Sequence, residues 1–344
     1  MDFLKSRAVK VIVSLALAVG LVWLLARQVK PSEVGQRIAA ASPAWLALSV
    51  GLALFTYVLR AWRWMWILRP VGRVAFGPSF YATALGFAGN FLPARAGEII
   101  RPAVLSRETK LPFSALLASI LFERLLDAAS VFFFLGLAIL DRPWARATGS
   151  AGLPVAVGAV PLVALGGIVT LSYLAMFQRG RLERLLDIFL RILPARWTMP
   201  ARAAFSAFLD GLALMKNLTA GQWGAVLGGS IGMWLVINVQ IACVVAAFGI
   251  DLPLSASFVL TFAAVLGLAV PTPAGIGGYH AAVAGALVRF RVPEDTALGV
   301  ATLAHAVSFV PITLIALGLL LWRSIHPGHS RPSGRDSDQA TEPR

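Results

Sequence analysis

The 344-residue sequence is poor in charged residues and has a single cysteine. Charged residues make up 13% of the chain, whereas a soluble domain carries about 25%. With 58% hydrophobic residues and a mean hydropathy of +0.79, this depletion excludes a water-soluble globule and indicates a polytopic membrane protein. Because Cys243 is the single cysteine, an internal disulfide and a cysteine metal cluster are excluded. Cys243 lies in an apolar run. We expect it to be a small buried hydrophobic side chain.

Familiar catalytic and nucleotide-binding signatures are also missing. The sequence contains no HExxH, GxSxG or paired-cysteine motif and no ATP-binding motif. A glycine-rich turn follows residue 270, but no strand precedes it, so we reject a nucleotide fold there. We therefore expect no catalytic residues, no metal and no cofactor, and we expect that the chain is not an enzyme.

The net charge of +14 comes from basic residues that flank apolar stretches. This pattern is typical of cytoplasmic loops beside anionic headgroups, and nucleic acid is not an expected partner. The expected partners are a membrane lipid substrate and anionic headgroups, and a homo-oligomer remains open. The same distribution predicts an orientation in the bacterial cytoplasmic (inner) membrane, although Arg27, Lys30 and Arg37 fit it poorly. Segments 5–10, 60–73, 179–202 and Arg323 would lie inside, and turns 141–148 and 249–253 outside.

Apolar stretches near the 20 residues that span a bilayer predict an all-α, polytopic transmembrane helix bundle. Residues 1–325 form one membrane domain in this interpretation, with a retained first helix, and residues 326–344 form a disordered cytoplasmic tail. The basic segment 178–216 has apolar residues at helical spacing, which predicts an amphipathic helix on the cytoplasmic face. The predicted spans are 9–26, 45–59, 113–140, 153–177, 223–248 and 297–322.

Two stretches of the chain repeat one pattern. LGFA at 85–88 leads into PARAGE at 93–98, and LGLA at 266–269 leads into PAGIGG at 273–278. Each is a Gly/Pro break at membrane depth, where backbone groups left unpaired must face protein or water. Two such breaks in corresponding halves predict two re-entrant, broken helical hairpins in an inverted repeat around a transport site. The predicted hinge residues are Pro93, Gly97, Pro271, Pro273, Gly275, Gly277 and Gly278.

Charged residues near the first break are candidates for binding a phosphate headgroup. Glu98 and Arg101 are three residues apart and can pair on one helix face, and an arginine fork suits phosphate oxygens. The alternative is a loop whose arginines merely lie at the membrane surface. The Arg60-Ala61-Trp62-Arg63-Trp64-Met65-Trp66 segment after the second span is interpreted as an interfacial anchor.

A second charged group, Glu123, Arg124 and Asp127, lies within a predicted span. Each charge there costs at least about 2.5 kcal/mol unless it is paired or hydrated. If the helix begins at Phe113, the group lies roughly 15–20 Å deep; if it begins near Leu121, the group lies at the surface. The alternative role is a structural ion pair that fixes helix packing. The predicted substrate-binding residues are Arg60, Arg63, Asn90, Arg95, Glu98, Arg101, Glu123, Arg124, Asp127 and His280.

Together these motifs resemble the lysylphosphatidylglycerol synthase transmembrane domain family, a group of flippase-like membrane proteins. The resemblance rests on RAWRW at 60–64, NFLPARAGE at 90–98 with Arg101, ERLLD at 123–127, and the PxPxGxG turn at 271–277. It implies movement of a polar-headed lipid between leaflets. It does not imply synthesis, because the soluble aminoacyl-transfer domain is not in this sequence. The family usually has an acidic residue near position 280, so His280 is a departure that raises a pH-sensitive alternative.

The sequence thus favours a flippase or lipid-carrier transporter for a polar-headed (phospho)lipid. One alternative is a membrane-embedded lipid-modifying enzyme that uses Glu123 and Asp127 as acid and base. Another is a non-catalytic scaffold for a lipid-synthesis complex.

Overall fold

The structure, a computed structural model, describes residues 39–90, 96–141, 178–190, 215–269 and 275–326, with isolated positions at 36 and within 161–177 and 198–213. Predicted elements outside the described residues are the span 9–26, most of 153–177, the tail after residue 326, and the residues Pro93, Arg95, Pro271 and Pro273.

The described residues form helices joined by short connections, and no strand occurs among them, which confirms the all-α prediction. Several helices begin where the sequence provides a start signal. Proline occupies the first position of the first helix and immediately precedes three others, and Thr219 and Gln222 form a capping box. In chain order the helices are α1 Pro43–Ile67, α2 Phe76–Gly89, α3 Gly97–Thr109, α4 Phe113–Leu140, α5 Arg179–Leu190, α6 Ala220–Ala247, α7 Leu254–Ala269, α8 Gly278–Arg289 and α9 Glu294–Ile325.

Three of these helices, α1, α6 and α9, are long and apolar enough to cross a membrane, and α7 is a shorter apolar helix. Helix α4 has the same 28-residue length as α6 but carries Glu123, Arg124 and Asp127 near its middle. It begins at Phe113, the earlier of the two helix starts considered for these charges. Helix α1 continues past the predicted end at residue 59 to Ile67.

Helices α1–α4 and α6–α9 form two units with the same spacing along the chain. A shift of 181 residues carries Gly97, where α3 begins, onto Gly278, where α8 begins, and carries Phe113 of α4 onto Glu294 of α9. The units pack on one another through α1 on α6, α2 on α9, and α4 on α7. When the two units exchange places, the first pairing maps onto itself and the other two map onto each other, as in an approximate two-fold arrangement.

Corresponding helices α1 and α6 run antiparallel. The Ser42 N–H donates to the Ala247 carbonyl at 2.9 Å, and the Ser49 hydroxyl donates to the Gln240 carbonyl at 3.2 Å. Toward the C-terminal end of α1, the Arg63 side chain donates a hydrogen bond to Ser230 of α6. Residue numbers therefore rise along α1 as they fall along α6.

Glycine pairs hold each predicted hairpin together. A Cβ on Gly97 would overlap the Gly86 carbonyl oxygen, and a Cβ on Gly267 would overlap that of Gly278. The 181-residue shift maps the first pair onto the second, so α2 packs on α3 as α7 packs on α8. Gly277 has φ +87°, a left-handed conformation that favours glycine.

Buried apolar residues form separate clusters rather than one core. A large cluster fills the second unit and includes Val244, Leu260, Leu287 and Val300. Another joins α1, α2, α3, α4 and α6 around the fully buried Trp64. The space between the units is therefore bordered by apolar packing on both sides, which limits polar chemistry to a few side chains.

Candidate functional site

Six charged side chains meet where α1, α3 and α4 pack together, and we call them the arginine cluster. They are Arg60 and Arg63 on α1, Arg101 on α3, and Glu123, Arg124 and Asp127 on α4. The helical spacing explains the convergence, since residues three or four apart share a face. All of them are buried except Arg124, whose side chain is 36% exposed.

Glu123 lies at the centre of the arginine cluster. Its Oε1 atom accepts hydrogen bonds from Arg101 Nη1 at 2.8 Å and Arg124 Nη2 at 3.2 Å. Arg63 Nη2 lies 3.3 Å from the same oxygen, and Arg60 Nη1 lies 3.9 Å away. One carboxylate thus orders four guanidinium groups contributed by three helices.

Asp127, one turn further along α4, binds the same arginines from a second position. Its Oδ1 atom accepts hydrogen bonds from Arg63 Nη2 at 2.8 Å and from the Trp234 indole N–H at 3.1 Å. Arg60 Nη1 and Arg124 Nη2 each lie 3.4 Å from Oδ2. Trp234 belongs to α6, so this bond ties the arginine cluster to the second unit.

The arginine cluster has more positive charge than its own carboxylates neutralise. Four guanidinium groups face two carboxylates, which leaves two positive charges in excess. Among the described residues, Nε of Arg63, Nε and Nη2 of Arg101 and Nε of Arg124 have no hydrogen-bond partner. Arg101 is partly compensated by the Trp64 ring, whose centroid lies 3.9 Å from its Cζ atom. Buried donors without acceptors are costly, and an anion with several oxygens would satisfy them.

Two sequence predictions about these residues are wrong. Arg101 binds Glu123 across the α3–α4 interface rather than Glu98 on its own helix. The Arg60–Trp66 segment is not an interfacial anchor at its centre, because α1 continues through it and Arg63 and Trp64 are fully buried. Packing against α4 and α6 places their polar atoms in the interior.

The remaining predicted residues near the first break, Asn90, Arg95 and Glu98, are not members of the arginine cluster. Asn90 caps the C-terminus of α2, and its buried Oδ1 has no hydrogen-bond partner in the described part of the chain. Glu98 lies in the first turn of α3 and is partly exposed. Arg95 lies outside the described residues.

A cavity of about 130 Å³ lies between the two units. Arg60 borders it, with its Cζ atom 5.0 Å from the Phe87 ring centroid. Its other lining residues are mainly aromatic and apolar, and the Tyr57 hydroxyl at its wall donates to the Ser308 carbonyl at 2.7 Å. The arginine cluster therefore presents one guanidinium to a space shared by both units. The cavity is lined by Ala53, Thr56, Tyr57, Arg60, Phe87, Trp234, Ile237, Gln240, Ile241, Thr261, Ala264, Val265, Leu268, Tyr279, Ser308 and Phe309.

Sequence reasoning missed Tyr57, Phe87 and Trp234. The available signal was the position of Trp234 in the middle of an apolar span, since indoles that anchor a helix at the membrane surface lie near its ends. A buried indole N–H requires an acceptor, and here it finds Asp127.

The second unit does not repeat the arginine cluster. At the positions that correspond to Arg60, Glu123 and Asp127 it has Ile241, Ala304 and Ser308. His280 lies in the first turn of α8, where its Nδ1 accepts a hydrogen bond from the Gly277 N–H at 3.4 Å. It joins an aromatic group with Tyr279 and His305 instead of the residues that bind Glu123. No three His, Cys, Asp or Glu side chains converge as metal ligands among the residues described.

Comparison with known proteins gives two results. The sequence is 25% identical over 345 residues to Glycosyltransferase AglD of Haloferax volcanii, across 92% of this chain and 55% of that protein, so the chain spans about half the length of this curated relative. The prediction that the chain is not an enzyme is contradicted by its similarity to a protein named a glycosyltransferase. Residues 11–316 match the lysylphosphatidylglycerol synthase TM region. Because this match covers most of the chain, the protein belongs to the family of membrane proteins that contain the lysylphosphatidylglycerol synthase TM region.

Proposed function

We propose that the protein binds the anionic head group of a membrane lipid at the arginine cluster and moves it between the two leaflets. The observation that carries this proposal is that four guanidinium groups, three of them buried, face two carboxylates and retain unpartnered N–H groups, beside a cavity shared by both units. A lipid phosphate supplies both the negative charge and the acceptor oxygens that these groups need.

The arrangement of the helices supports a specific placement in the cytoplasmic membrane. The ends of α1, α3 and α9 lie near basic residues that include Arg69, Arg73, Arg107 and Lys110. We place this side at the cytoplasm by the positive-inside rule. Because α1 and α6 are antiparallel, the α2–α3 hairpin then enters from the cytoplasm and the α7–α8 hairpin from the opposite side. This is an inverted repeat with both breaks directed toward the centre.

In this arrangement the protein supplies the charge compensation that lipid cannot. A charge at the bilayer centre costs about 2.5–3.5 kcal/mol on insertion scales. The carboxylates of Glu123 and Asp127 hold the arginines in place before substrate binds, so their donors are already oriented. Arg60 passes the phosphate to the central cavity, while the acyl or prenyl chains stay in the surrounding lipid.

A second candidate function is a part in glycosyl transfer, favoured by the similarity to a protein named a glycosyltransferase. The same anion site would then hold the phosphate of a lipid that accepts or carries a sugar. The acid–base role for Glu123 and Asp127 is less favoured, since guanidinium groups surround both carboxylates and hold them as acceptors.

The test is lipid movement in proteoliposomes. Phosphatidylglycerol with a nitrobenzoxadiazole label is reconstituted with wild-type protein, Arg101→Gln, or the control Arg184→Gln on the exposed face of α5. Loss of a charge-assisted hydrogen bond worth about 1.5–3 kcal/mol should slow movement roughly tenfold or more in Arg101→Gln. The control should match wild type.

Two results would overturn the proposal: wild-type vesicles no faster than empty ones, or Arg101→Gln as fast as wild type. The second candidate is tested in parallel with a polyprenyl phosphate and sugar donors. A sugar added to that lipid in mass spectra supports it, and an unchanged lipid mass argues against it.

A further inference from the structure

An aromatic–histidine group lies across the central cavity from the arginine cluster. It consists of Tyr279 and His280 at the start of α8 and His305 and Phe309 on α9. Tyr279 and Phe309 line the cavity itself. His305 is 2% exposed, and His280 is half-buried.

Ring contacts connect the side chains of the aromatic–histidine group to one another. The His305 ring stacks on Tyr279 with centroids 4.6 Å apart and planes 18° apart. The His280 ring meets His305 edge-on at 5.0 Å, and Phe309 meets it from another direction at 4.8 Å. Protonation of either imidazole would bring a cation next to aromatic rings, which partly stabilises it.

The position of this group mirrors that of the arginine cluster. The 181-residue shift that relates the two units carries Arg124 onto His305 and Glu98 onto Tyr279. In the proposed inverted repeat, the two groups approach the central cavity from opposite sides. Where the first unit has a permanently charged guanidinium, the second has an imidazole, which can be neutral or protonated.

We propose that His280 and His305 form a second, proton-dependent binding site for the same phosphate headgroup. This inference rests on the proposed function. With both imidazoles neutral the group is aromatic and offers an anion little. Two imidazolium rings this close would repel each other, so double protonation becomes favourable only when an anion lies against them. Anion binding and proton uptake therefore reinforce each other.

The charged surroundings make this coupling specific. Helices α2, α6 and α7, which pack around α8, α9 and the cavity, contain no Asp, Glu, Lys, Arg or His. The nearby titratable groups are Tyr279 itself and Tyr57, whose hydroxyl is bound to the Ser308 carbonyl. Arg60 is the charged residue lining the shared cavity. A headgroup that leaves Arg60 meets the cavity wall at Tyr279 and Phe309, and the histidines in contact with these rings are the next source of positive charge.

The experiment measures phosphatidylglycerol movement at two pH values. Proteoliposomes of phosphatidylcholine with labelled phosphatidylglycerol are incubated near pH 7.5 and near pH 5.5, and the accessible label is read after return to neutral pH. An imidazole gains protons over this interval, whereas the phosphate of this lipid does not titrate within it. Wild-type movement should therefore be faster at the lower pH.

Three variants identify the groups responsible. His305→Gln and His280→Gln should each flatten the pH response, whereas His326→Gln, an exposed histidine beyond α9, should preserve it. Lipid binding near pH 7.5 should persist in all three, because the arginine cluster is intact. His280 is less buried than His305, so His280→Gln decides the question if His305→Gln does not fold.

The outcomes separate this inference from the proposed function. Movement by wild type with an unchanged pH response in His280→Gln overturns the second site and leaves lipid movement standing. Wild-type movement that does not depend on pH also overturns it. If wild-type protein moves no lipid at either pH, the proposed function fails and the second site fails with it.

Discussion

In the arginine cluster, replacing Glu123 alone is expected to destabilise the fold more than replacing Glu123 and Arg101 together. The wild-type arginine cluster carries an excess of two positive charges. Glu123→Gln raises the excess to three and puts a neutral amide in place of a carboxylate whose Oε1 lies within 3.9 Å of four guanidinium groups. Breaking a buried ion pair by removing one partner costs about 3–5 kcal/mol.

The double variant Glu123→Gln/Arg101→Gln restores the excess to two. Arg101→Gln alone removes one guanidinium but leaves Glu123 with Arg63 and Arg124 at 3.3 and 3.2 Å, so it should cost about 1–3 kcal/mol. We expect the double variant to be about 2 kcal/mol more stable than Glu123→Gln, because the second substitution removes a buried guanidinium that has lost its counter-charge.

The assay is denaturant unfolding in mixed micelles, which gives the free energy of unfolding for each protein of the cycle. Asp251→Asn is the matched control, because it removes an exposed carboxylate in the α6–α7 turn. It should change stability by less than about 0.5 kcal/mol. The reasoning is refuted if the double variant loses the sum of the two single losses, since independent sites add within about 0.5 kcal/mol.

Two further substitutions test the contacts that fix the units. Gly97→Ala places a Cβ on the Gly86 carbonyl and should lower the free energy of unfolding by about 1–3 kcal/mol. The control Gly136→Ala adds a Cβ with no described atom within 4 Å and should not lower it. Equal effects of the two substitutions would contradict the close contact between the helices. Tyr57→Phe removes the hydrogen bond to the Ser308 carbonyl and should cost about 0.5–1.5 kcal/mol in the same titration, whereas unchanged stability would show that this bond contributes nothing between the units.

Local sequence signals located several elements well. Helix α4 spans Phe113–Leu140 as predicted, because Pro112 precedes an uninterrupted run of helix-compatible residues. The LGFA and LGLA repeats identified the ends of α2 and α7, where close glycine contacts are needed. These features depend on neighbours in the chain, so the sequence is sufficient to predict them.

Which residues come together in the arginine cluster depends on tertiary contacts, and these cannot be predicted from local sequence patterns. Arginines and tryptophans at the end of an apolar run are typical of a membrane surface, yet the same residue types suit a buried cluster once acids on another helix face them. Only the packing of α1 on α4 distinguishes the two cases for Arg63. Likewise, the local spacing paired Arg101 with Glu98, whereas the α3–α4 interface supplied Glu123, 22 residues away.

The difference in chemistry between the two units gives the proposed transport a direction that equal sites would not. Two fixed-charge sites would hold a phosphate equally at every pH and would favour neither leaflet. In the proposed mechanism Arg60 retains its charge throughout the physiological range, while His280 and His305 gain theirs only with protons. Because α1 and α6 are antiparallel, the titratable site faces the side opposite the arginine cluster. A more acidic medium on that side would load this site with headgroup and protons together, and because the two bind as a unit the proton gradient would bias headgroup movement away from that side.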